Sequence, residues 1–265
     1  MFVINKIRSK SYVTESSSSS NSNNDQKFNE WLAGLIDGDG CFQLSNKGYG
    51  SLEITMDIRD KHCLDPIKQK FGGYVESKAG KNHVRYRLHH KEGLLDLIHS
   101  VNGKIRNPVR LLQCSTICDK YGISIISPNL LSYNNSYNNG WLAGFIDSDG
   151  SVYINLVSDQ IFISVSQKNR LLLDALLPLY GGSIYLQKKT VSFKWVVFRK
   201  LEIIKLLDYF KNYPLRSAKQ NRILLIPKYF ELRELKAHLA TPDSILGKQW
   251  INFIKDWDSY TGDPK

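Results

Sequence analysis

The stretch Trp31-Leu-Ala-Gly-Leu-Ile-Asp-Gly-Asp-Gly40 decides the fold of this chain, because it returns as Trp141-Leu-Ala-Gly-Phe-Ile-Asp-Ser-Asp-Gly150. The two copies differ at only two of their ten positions. A repeat this close predicts two copies of one structural unit, each with an apolar helix that ends in a carboxylate. Two such helices packed side by side would bring Asp39 and Asp149 together.

The composition of the motif suits a close helix pair with a cation at its end. Gly34 and Gly144 lie at equivalent positions, and small residues allow two helix backbones to approach closely. A carboxylate at a helix C-terminus is disfavoured by the helix dipole, and two of them together cost more. A bound cation offsets such a cost, and oxygen ligands suit Mg²⁺ better than zinc. The motif pair therefore predicts a magnesium site where the halves meet.

The repeat extends beyond the motif. Gly72-Gly73 matches Gly181-Gly182, and Leu64-Asp65 matches Leu173-Asp174, both at the same offset along the chain. The hydrophobic patterns of each half predict a helix, a hairpin, a helix, a hairpin and further helices. The fold class is therefore α+β, with helices on one face of each antiparallel sheet and the other face left to solvent or to a ligand.

Composition divides the chain into four segments. Residues 1–27 begin basic, continue rich in Ser and Asn, and carry little apolar surface, which predicts either a disordered leader or an organellar transit peptide. We expect the first half over 28–121 and an Asn/Ser/Tyr-rich linker over 122–138. The second half, with a C-terminal helix, is expected over 139–265.

The overall charge favours a polyanionic partner. The chain of 265 residues has a net charge of +11, with 14 Tyr and 5 Trp. Such a composition favours nucleic acid, although ribosomal and membrane-surface proteins share it. No apolar run reaches the roughly 18 residues of a membrane-spanning helix, so we expect no membrane partner. The four cysteines form no paired zinc motif, which favours buried reduced thiols over the alternative of a structural zinc.

The double motif resembles the signature of the LAGLIDADG homing endonucleases in their single-chain, two-motif form. The resemblance covers the chain from Phe28 to Trp257. It implies two pseudo-symmetric αββαββα halves that dock through the motif helices. It also implies that the two sheets form a saddle over the major groove of DNA.

The resemblance assigns roles to the residues at the end of each motif. It implies that Asp39 and Asp149 bind the Mg²⁺ ions that act on the two strands, with Mn²⁺ as a substitute. The backbone carbonyls of the preceding residues are expected to help, and these residues are Gly38 and Ser148. The earlier acids of the motifs are expected to be structural residues of the helix end, and these are Asp37 and Asp147.

The resemblance also implies a catalytic glutamine and a catalytic lysine. Family members often place a glutamine after the second strand of each half, where it holds a water beside the metal. Gln167 fits this position in the second half. A lysine near the last helices often polarises the attacked phosphate, and Lys219 fits that pattern.

The first half departs from this pattern. At the offset that relates the two Gly-Gly pairs, the residue that matches Gln167 is Ile58, with Asp57 and Arg59 beside it. When Arg110 is aligned with Arg222, the residue that matches Lys219 is Asn107. Two nearby basic residues are close enough to replace the lysine, and they are Lys104 and Arg106. Unequal halves predict unequal cutting of the two DNA strands.

Polar side chains alternate with apolar ones along the predicted hairpins. A strand of this kind presents one face to the core and the other outward. Arg, Lys, Gln and Asn suit the edges of bases, whereas a merely solvated face is the alternative for any one residue. The candidates for DNA contact are Gln43, Ser45, Lys47, Arg85, Arg87 and His89 in the first half, and Tyr153, Asn155, Gln187, Lys189 and Lys194 in the second.

We interpret the sequence as a monomeric, Mg²⁺-dependent, site-specific double-strand DNA endonuclease of the intron-homing type, with a long recognition site. The first alternative is an RNA maturase that assists splicing of its own group I intron and has kept or lost cleavage. The second is a DNA-binding regulator with an inactive site, against which the intact Asp39 and Asp149 argue. We expect an organellar location, in the mitochondrion rather than the chloroplast.

Overall fold

The computed structural model describes residues 16–77, 80–128, 139–155 and 157–259, with side chains from residue 22 onward. Within these residues two units follow one another in the same order: helix, hairpin, helical turns, hairpin, helices. This order confirms the α+β prediction and the repeat of the αββαββα unit. Among the described helices, none is long and apolar enough to cross a membrane.

The first unit contains four helices and four strands. A 3₁₀ segment, Ile58–Cys63, joins its two hairpins ahead of the second helix. The elements are α1 (Ser16–Asp39), β1 (Gly40–Leu44), β2 (Gly50–Asp57), α2 (Asp65–Phe71), β3 (Tyr74–Ser77), β4 (His83–Leu88), α3 (Lys91–Val101) and α4 (Pro108–Tyr121).

The second unit repeats this order and adds a C-terminal helix. Two single helical turns replace α2, and a 3₁₀ segment, Ala237–Leu239, precedes the last helix. The elements are α5 (Trp141–Asp149), β5 (Gly150–Asn155), β6 (Gln160–Gln167), α6 (Leu171–Asp174), α7 (Leu177–Tyr180), β7 (Ser183–Gln187), β8 (Ser192–Val197), α8 (Lys200–Asn212), α9 (Lys219–Glu234) and α10 (Ile245–Asp258).

Each unit contains one four-stranded antiparallel sheet. The strand orders are β1-β2-β4-β3 and β5-β6-β8-β7. Burial alternates along the strands, so that Leu52 and Ile54 of β2 are fully buried while Ser51 and Glu53 are half-buried. One face of each sheet therefore packs on the helices, and the other face is open.

Helices α1 and α5 pack against each other along the motif. A Cβ atom on Gly34 would lie 2.0 Å from the carbonyl oxygen of Trp141, and one on Gly144 would lie 1.8 Å from that of Trp31. No side chain fits at such a distance from a backbone atom. The two glycines therefore line the helix contact, as the sequence predicted.

The N-terminal segment differs from the prediction. Residues 16–27, expected to lie in a disordered leader, belong to α1. Lys70 donates to Asp25 at 2.7 Å, and Lys27 donates to the carbonyl oxygen of Asn212 at 3.4 Å. Because the buried motif already forms a helix, residues before it extend that helix without a new nucleation step. Residues 1–15 of the predicted leader lie outside the described part of the chain, as do 129–138 of the predicted linker.

The cysteines are unpaired thiols. Cys63, Cys114 and Cys118 are buried and Cys41 is half-buried. Burial raises the pKa of the Cys63 and Cys114 thiols. The part of the chain that the structure describes contains no group of three or more His, Cys, Asp or Glu residues placed to hold a metal ion. The structural zinc considered as an alternative has no support there.

Candidate active site at the ends of the motif helices

Asp37 and Asp147 fasten each motif helix to the loop before the last helices of its own half. Asp37 accepts hydrogen bonds from the backbone N–H groups of Arg106 at 2.8 Å and Asn107 at 3.1 Å. Asp147 accepts from those of Arg216 at 2.8 Å and Ser217 at 3.1 Å. Both carboxylates are fully enclosed. They are structural residues, as predicted.

Asp39 and Asp149 lie half-buried at the two helix ends, facing the same space. A Cβ atom on Gly38 would lie 2.9 Å from Oδ2 of Asp149, so the second carboxylate lies over the end of the first helix. Burial raises the pKa of Asp39 to about 7, and the charge of Asp149 adds to the rise. Burial also raises the pKa of Asp149. Lys219 and Arg110 act in the opposite sense on both carboxylates.

Lys219 contacts the end of α5. Its Nζ donates to the carbonyl oxygens of Ile146 at 2.9 Å, Asp147 at 2.7 Å and Ser148 at 3.3 Å. The carbonyl of Ile146 also accepts from the N–H of Gly150, whereas those of Asp147 and Ser148 belong to the last turn, where a helix leaves carbonyls without intrahelical partners. A cation there also opposes the negative end of the helix dipole. Burial lowers the pKa of Lys219, while the charge of Asp147 is the largest of four acidic influences that raise it. Its predicted role at the phosphate stays a prediction.

Arg110 and Asn107 replace this lysine in the first half. The amide Nδ2 of Asn107 donates to the carbonyl oxygen of Asp37 at 2.8 Å, and the Arg110 guanidinium donates to that of Gly38 at 3.2 Å. Asp37 and Gly38 are equivalent to Asp147 and Ser148, the seventh and eighth positions of the second motif copy. The two side chains together therefore do for α1 what one lysine does for α5.

The predicted match between Asn107 and Lys219 is wrong. The backbone N–H of Asn107 binds Asp37 as that of Ser217 binds Asp147, so Asn107 corresponds to Ser217. The helix that follows begins one residue after Asn107 in the first half, at Pro108, but two residues after Ser217 in the second, at Lys219. An alignment of the two half-sequences does not reveal this shift, because the shift becomes visible only when the residues that bind Asp37 and Asp147 are known.

The predicted substitutes for the lysine also lie elsewhere. The Arg106 guanidinium lies 4.5 Å from the ring centroid of Trp141 and donates to Asn139 at 3.4 Å. Lys104 lies in the loop before α4. Arg110 was not identified from the sequence as a site residue. Its spacing was a usable signal, since it lies one helical turn after Asn107 and therefore faces the same helix end.

Gln167 contacts Asp149, which places it at the motif acid of its own half, and its predicted role of holding a water beside the metal stays a prediction. Its amide donates to Oδ2 of that carboxylate and opposes the rise in its pKa. The predicted first-half match, Ile58, is wrong. Gly40 pairs with Ile54 and Gly150 with Val165, so the residues two positions further along are Met56 and Gln167. A buried methionine therefore stands where the second half has its glutamine.

Asp60 is a third carboxylate that the sequence did not single out. It is 3% exposed and accepts from the backbone N–H of Ala218 at 2.7 Å, which ties the first half to the second. Its charge raises the pKa of both Asp39 and Lys219. The site is thus asymmetric: Gln167 belongs to one half and Asp60 to the other.

Comparison with known proteins decides the family. The sequence profile described as LAGLIDADG endonuclease matches residues 32–105 and 142–230. The chain belongs to the LAGLIDADG endonuclease family. It is similar to the intron-encoded DNA endonuclease ai2b of Dictyostelium discoideum, with 36% identity over 86% of this chain and 88% of that protein.

Longer members of this LAGLIDADG family are equally similar. The probable intron-encoded endonuclease aI2 of Debaryomyces hansenii is 33% identical over 88% of the chain. The intron-encoded RNA maturase bI4 of Saccharomyces cerevisiae is 37% identical over 88% of the chain. The chain spans 38% and 37% of these two relatives.

The LAGLIDADG fold is confirmed by solved structures. The meganuclease I-SmaMI, bound to uncleaveable DNA, matches with a TM-score of 0.67 and 19% identity over 87% of this chain and 97% of that one. At this identity the likeness shows the fold alone. The shared fold consists of two halves packed through the motif helices, each with one open sheet face.

The open sheet face of the first LAGLIDADG half carries an ion-pair network. Glu53 lies 3.5 Å from Arg85 and 3.0 Å from Arg87, and Glu76 lies 3.4 Å from Arg87. The arginines face outward as predicted. The two acids, Glu53 and Glu76, were not identified from the sequence. Negative side chains were not expected on a surface predicted to bind DNA in a protein of positive net charge.

The remaining candidates for DNA contact lie on the open faces or at their margins. Lys194 places its Nζ 5.0 Å from the centroid of the Tyr153 ring. Gln43 and Asn155 are exposed at strand positions, while Ser45, Lys47 and Lys189 are exposed in turns. Gln187 is half-buried and accepts from Ser192, and His89 is exposed just after β4. Their contact with DNA stays a prediction.

Proposed function

We propose that this protein is a Mg²⁺-dependent, site-specific double-strand DNA endonuclease. One observation carries the proposal. Asp39 and Asp149 meet at the ends of two paired helices, between two open sheets, with the cations Arg110 and Lys219 beside them. Half-buried acids that share a space are an arrangement found at sites of metal-assisted phosphate chemistry.

The residues present fit a magnesium ion. The donors are carboxylate and carbonyl oxygens, which Mg²⁺ prefers, and a divalent charge would relieve the mutual repulsion of Asp39 and Asp149. The carbonyls of Gly38 and Ser148 accept from Arg110 and Lys219 at 3.2 and 3.3 Å, and each keeps a second lone pair for a metal. When bound, Mg²⁺ or Mn²⁺ would supply positive charge to the phosphate and make a coordinated water more acidic.

The chain's own residues would position the reactants. Hydrolysis joins the oxygen of a water to phosphorus and breaks the bond to one bridging oxygen, which leaves with a proton. Lys219 and Arg110 place positive charge near the attacked phosphates. Gln167, fixed on Asp149, can hold a water through its free amide oxygen. Because the first half has Met56 at that position, the two strands meet unequal surroundings.

The decisive experiment uses DNA from the protein's own gene. Duplexes carrying the flanking sequence, with and without the inserted coding segment, are incubated with purified protein and Mg²⁺. We expect a double-strand cut only in the duplex without the insertion, and none with EDTA. Equal cutting of both duplexes would contradict site specificity, and no cutting of either would contradict the endonuclease function.

The maturase remains a second candidate function, favoured by the 37% identity to an RNA maturase over 88% of the chain. A splicing assay on the transcript of the surrounding intron tests it, and Asp39→Asn separates the two activities, because splicing would not need the acid. We also propose a monomer, since one chain supplies both acids, and an organellar, mitochondrial location, in keeping with relatives named as intron-encoded. Gel filtration and imaging of a tagged protein test these points.

A further inference from the structure

The open face of the second sheet carries a row of three aromatic rings. Tyr153 of β5 pairs with Phe162 of β6, and their rings stack with centroids 5.3 Å apart and planes 11° apart. Phe162 in turn lies 5.7 Å from Phe198, which follows β8. We call Tyr153, Phe162 and Phe198 the aromatic row. It runs from β5 across β6 to the residue that follows β8, and all three rings are half-buried.

The equivalent row of the first sheet is polar. Strand pairing sets the equivalences: Gly40 corresponds to Gly150, their strand partners Ile54 and Val165 correspond, and so do Leu88 and Val197 on the next strands. Counting along each strand from these pairs gives the counterparts of the aromatic row. They are Gln43 for Tyr153, Ser51 for Phe162 and His89 for Phe198.

The neighbouring row shows the same contrast. In the first sheet Glu53 pairs with Arg87, and the two side chains form an ion pair at 3.0 Å. In the second sheet the equivalent pair is Ser164 with Val196. Ser164 and Val196 are both buried, so at this row the first half presents charged donors and acceptors, whereas the second half presents no polar group to a ligand.

Resting on the proposed endonuclease function, we propose that the aromatic row recognises the C5-methyl groups of thymines in one half-site, whereas the first half reads its half-site through hydrogen bonds. Thymine is the base that presents a methyl group in the major groove, and apolar side chains suit it. Phenyl rings offer guanine and cytosine no hydrogen-bond partner, so desolvating those bases there is unfavourable. In the first half, Arg87 and Gln43 suit the edges of guanine and adenine.

Tyr153 is held so that its ring can take part in this contact. Lys194 lies 5.0 Å over the ring centroid and donates to the hydroxyl at 3.4 Å. The hydroxyl of Tyr153 therefore accepts within the sheet and keeps its own proton for a further hydrogen bond, while the ring carbons add apolar area to the open face. The specificity assigned to this row is for a methyl group, and that distinguishes it from general affinity for phosphates.

A selection from random duplexes tests the assignment. The intact protein with EDTA, which prevents cutting, selects from one pool made with thymine and from a second made with uracil, which lacks the methyl group. We expect thymine enrichment in one half-site of the first pool and its loss in the second pool. In the selected duplex, each thymine-to-uracil change in that half should weaken binding about three- to fivefold, the worth of one buried methyl group. Changes in the other half should have no effect.

Matched variants assign the effect to the row. Phe162→Ser installs the residue of the first half and should abolish uracil sensitivity, and Tyr153→Gln should reduce it if Phe162→Ser fails to fold. The control Gln43→Ala should alter base preference in the opposite half and leave uracil sensitivity unchanged. If the selected duplex is cut in Mg²⁺ but uracil weakens both halves equally, or neither, the inference is overturned while the endonuclease function stands. If no duplex is selected, both fail.

Discussion

The indole Nε1 of Trp31 donates a hydrogen bond to Asp147 at 2.8 Å, which joins the first residue of one motif to the seventh residue of the other. The reciprocal bond runs from Trp141 to Asp37 at 2.7 Å. Both acids are buried, and each also receives backbone N–H groups from its own half. The repeated motif therefore joins the two halves by a pair of reciprocal hydrogen bonds as well as by the helix contact. Each half supplies the indole donor for the buried carboxylate of the other.

Trp31→Phe should destabilise the protein by about 1–3 kcal/mol, because it leaves a buried carboxylate short of a donor. The double variant with Asp147→Asn separates this bond from the loss of indole packing in a double-mutant cycle. Urea denaturation of the four proteins gives the coupling free energy. A coupling energy near zero would show that the indole contributes by packing alone.

The helix contact gives a second prediction. Gly144→Ala should destabilise the fold by about 1–3 kcal/mol or more, since the added Cβ would lie 1.8 Å from the carbonyl oxygen of Trp31. Lys47→Ala, at an exposed turn position, is the control and should change stability by less than about 0.5 kcal/mol. Equal denaturation midpoints for the two variants would contradict the packing described for α1 and α5.

The sequence predicted those site residues that belong to short sequence patterns, and it did not predict those defined by contacts between distant parts of the chain. The motif acids and Gln167 follow from short patterns, so their positions were predictable. The first-half counterparts were not, because the strand register and a helix that starts one residue later shift the alignment between the halves. Asp60 was invisible for a different reason: its partner, the N–H of Ala218, is distant in the sequence and belongs to the other half.

The motif acids give the third prediction. Asp39→Asn and Asp149→Asn should each abolish double-strand cleavage, because each removes a metal ligand. DNA affinity should stay within about tenfold, since basic contacts to phosphate supply most of it. Gel-shift titrations and cleavage assays on the same duplex measure the two effects. Full double-strand cutting by either variant would disprove the metal assignment.

The pKa of Asp39 predicts a pH dependence. Its value in the fold is about 7, above the ordinary value of 3.8, so folding favours the protonated form. Without metal, this group's contribution to stability is present at low pH and is lost as pH rises from about 4 to about 7. Cleavage should fall as pH drops below about 7, because protons then compete with Mg²⁺ for the carboxylate.

Melting temperatures with and without Mg²⁺ check this prediction. The gain from Mg²⁺ should be larger at about pH 8 than at about pH 5.5, and Asp39→Asn should shrink both the gain and its pH dependence. Ser45→Ala, in an exposed turn, is the control. A Mg²⁺ effect that is the same at both pH values would contradict the role of Asp39.

The last prediction concerns the unequal cations. One cation, Lys219, binds the carbonyl oxygens of Asp147 and Ser148 at the end of α5, whereas at α1 Asn107 and Arg110 divide the equivalent contacts. Lys219→Met should slow the cut of one strand, because it removes positive charge from one phosphate and leaves Arg110 in place. Arg110→Met should slow the cut of the other strand. Nicked plasmid should accumulate with both variants, and end-labelled duplexes should show opposite strands left intact.

Folding must be separated from chemistry here, because Lys219 also binds three carbonyl oxygens at a helix end. The assays are therefore run well below each variant's melting temperature, and Lys219→Arg should restore strand cutting in part, since it returns the charge with a different geometry. A structural lysine would slow both strands through a distorted α5. If Lys219→Met slows both strands equally, or neither, Lys219 is a capping residue of that helix and has no direct part in cleavage.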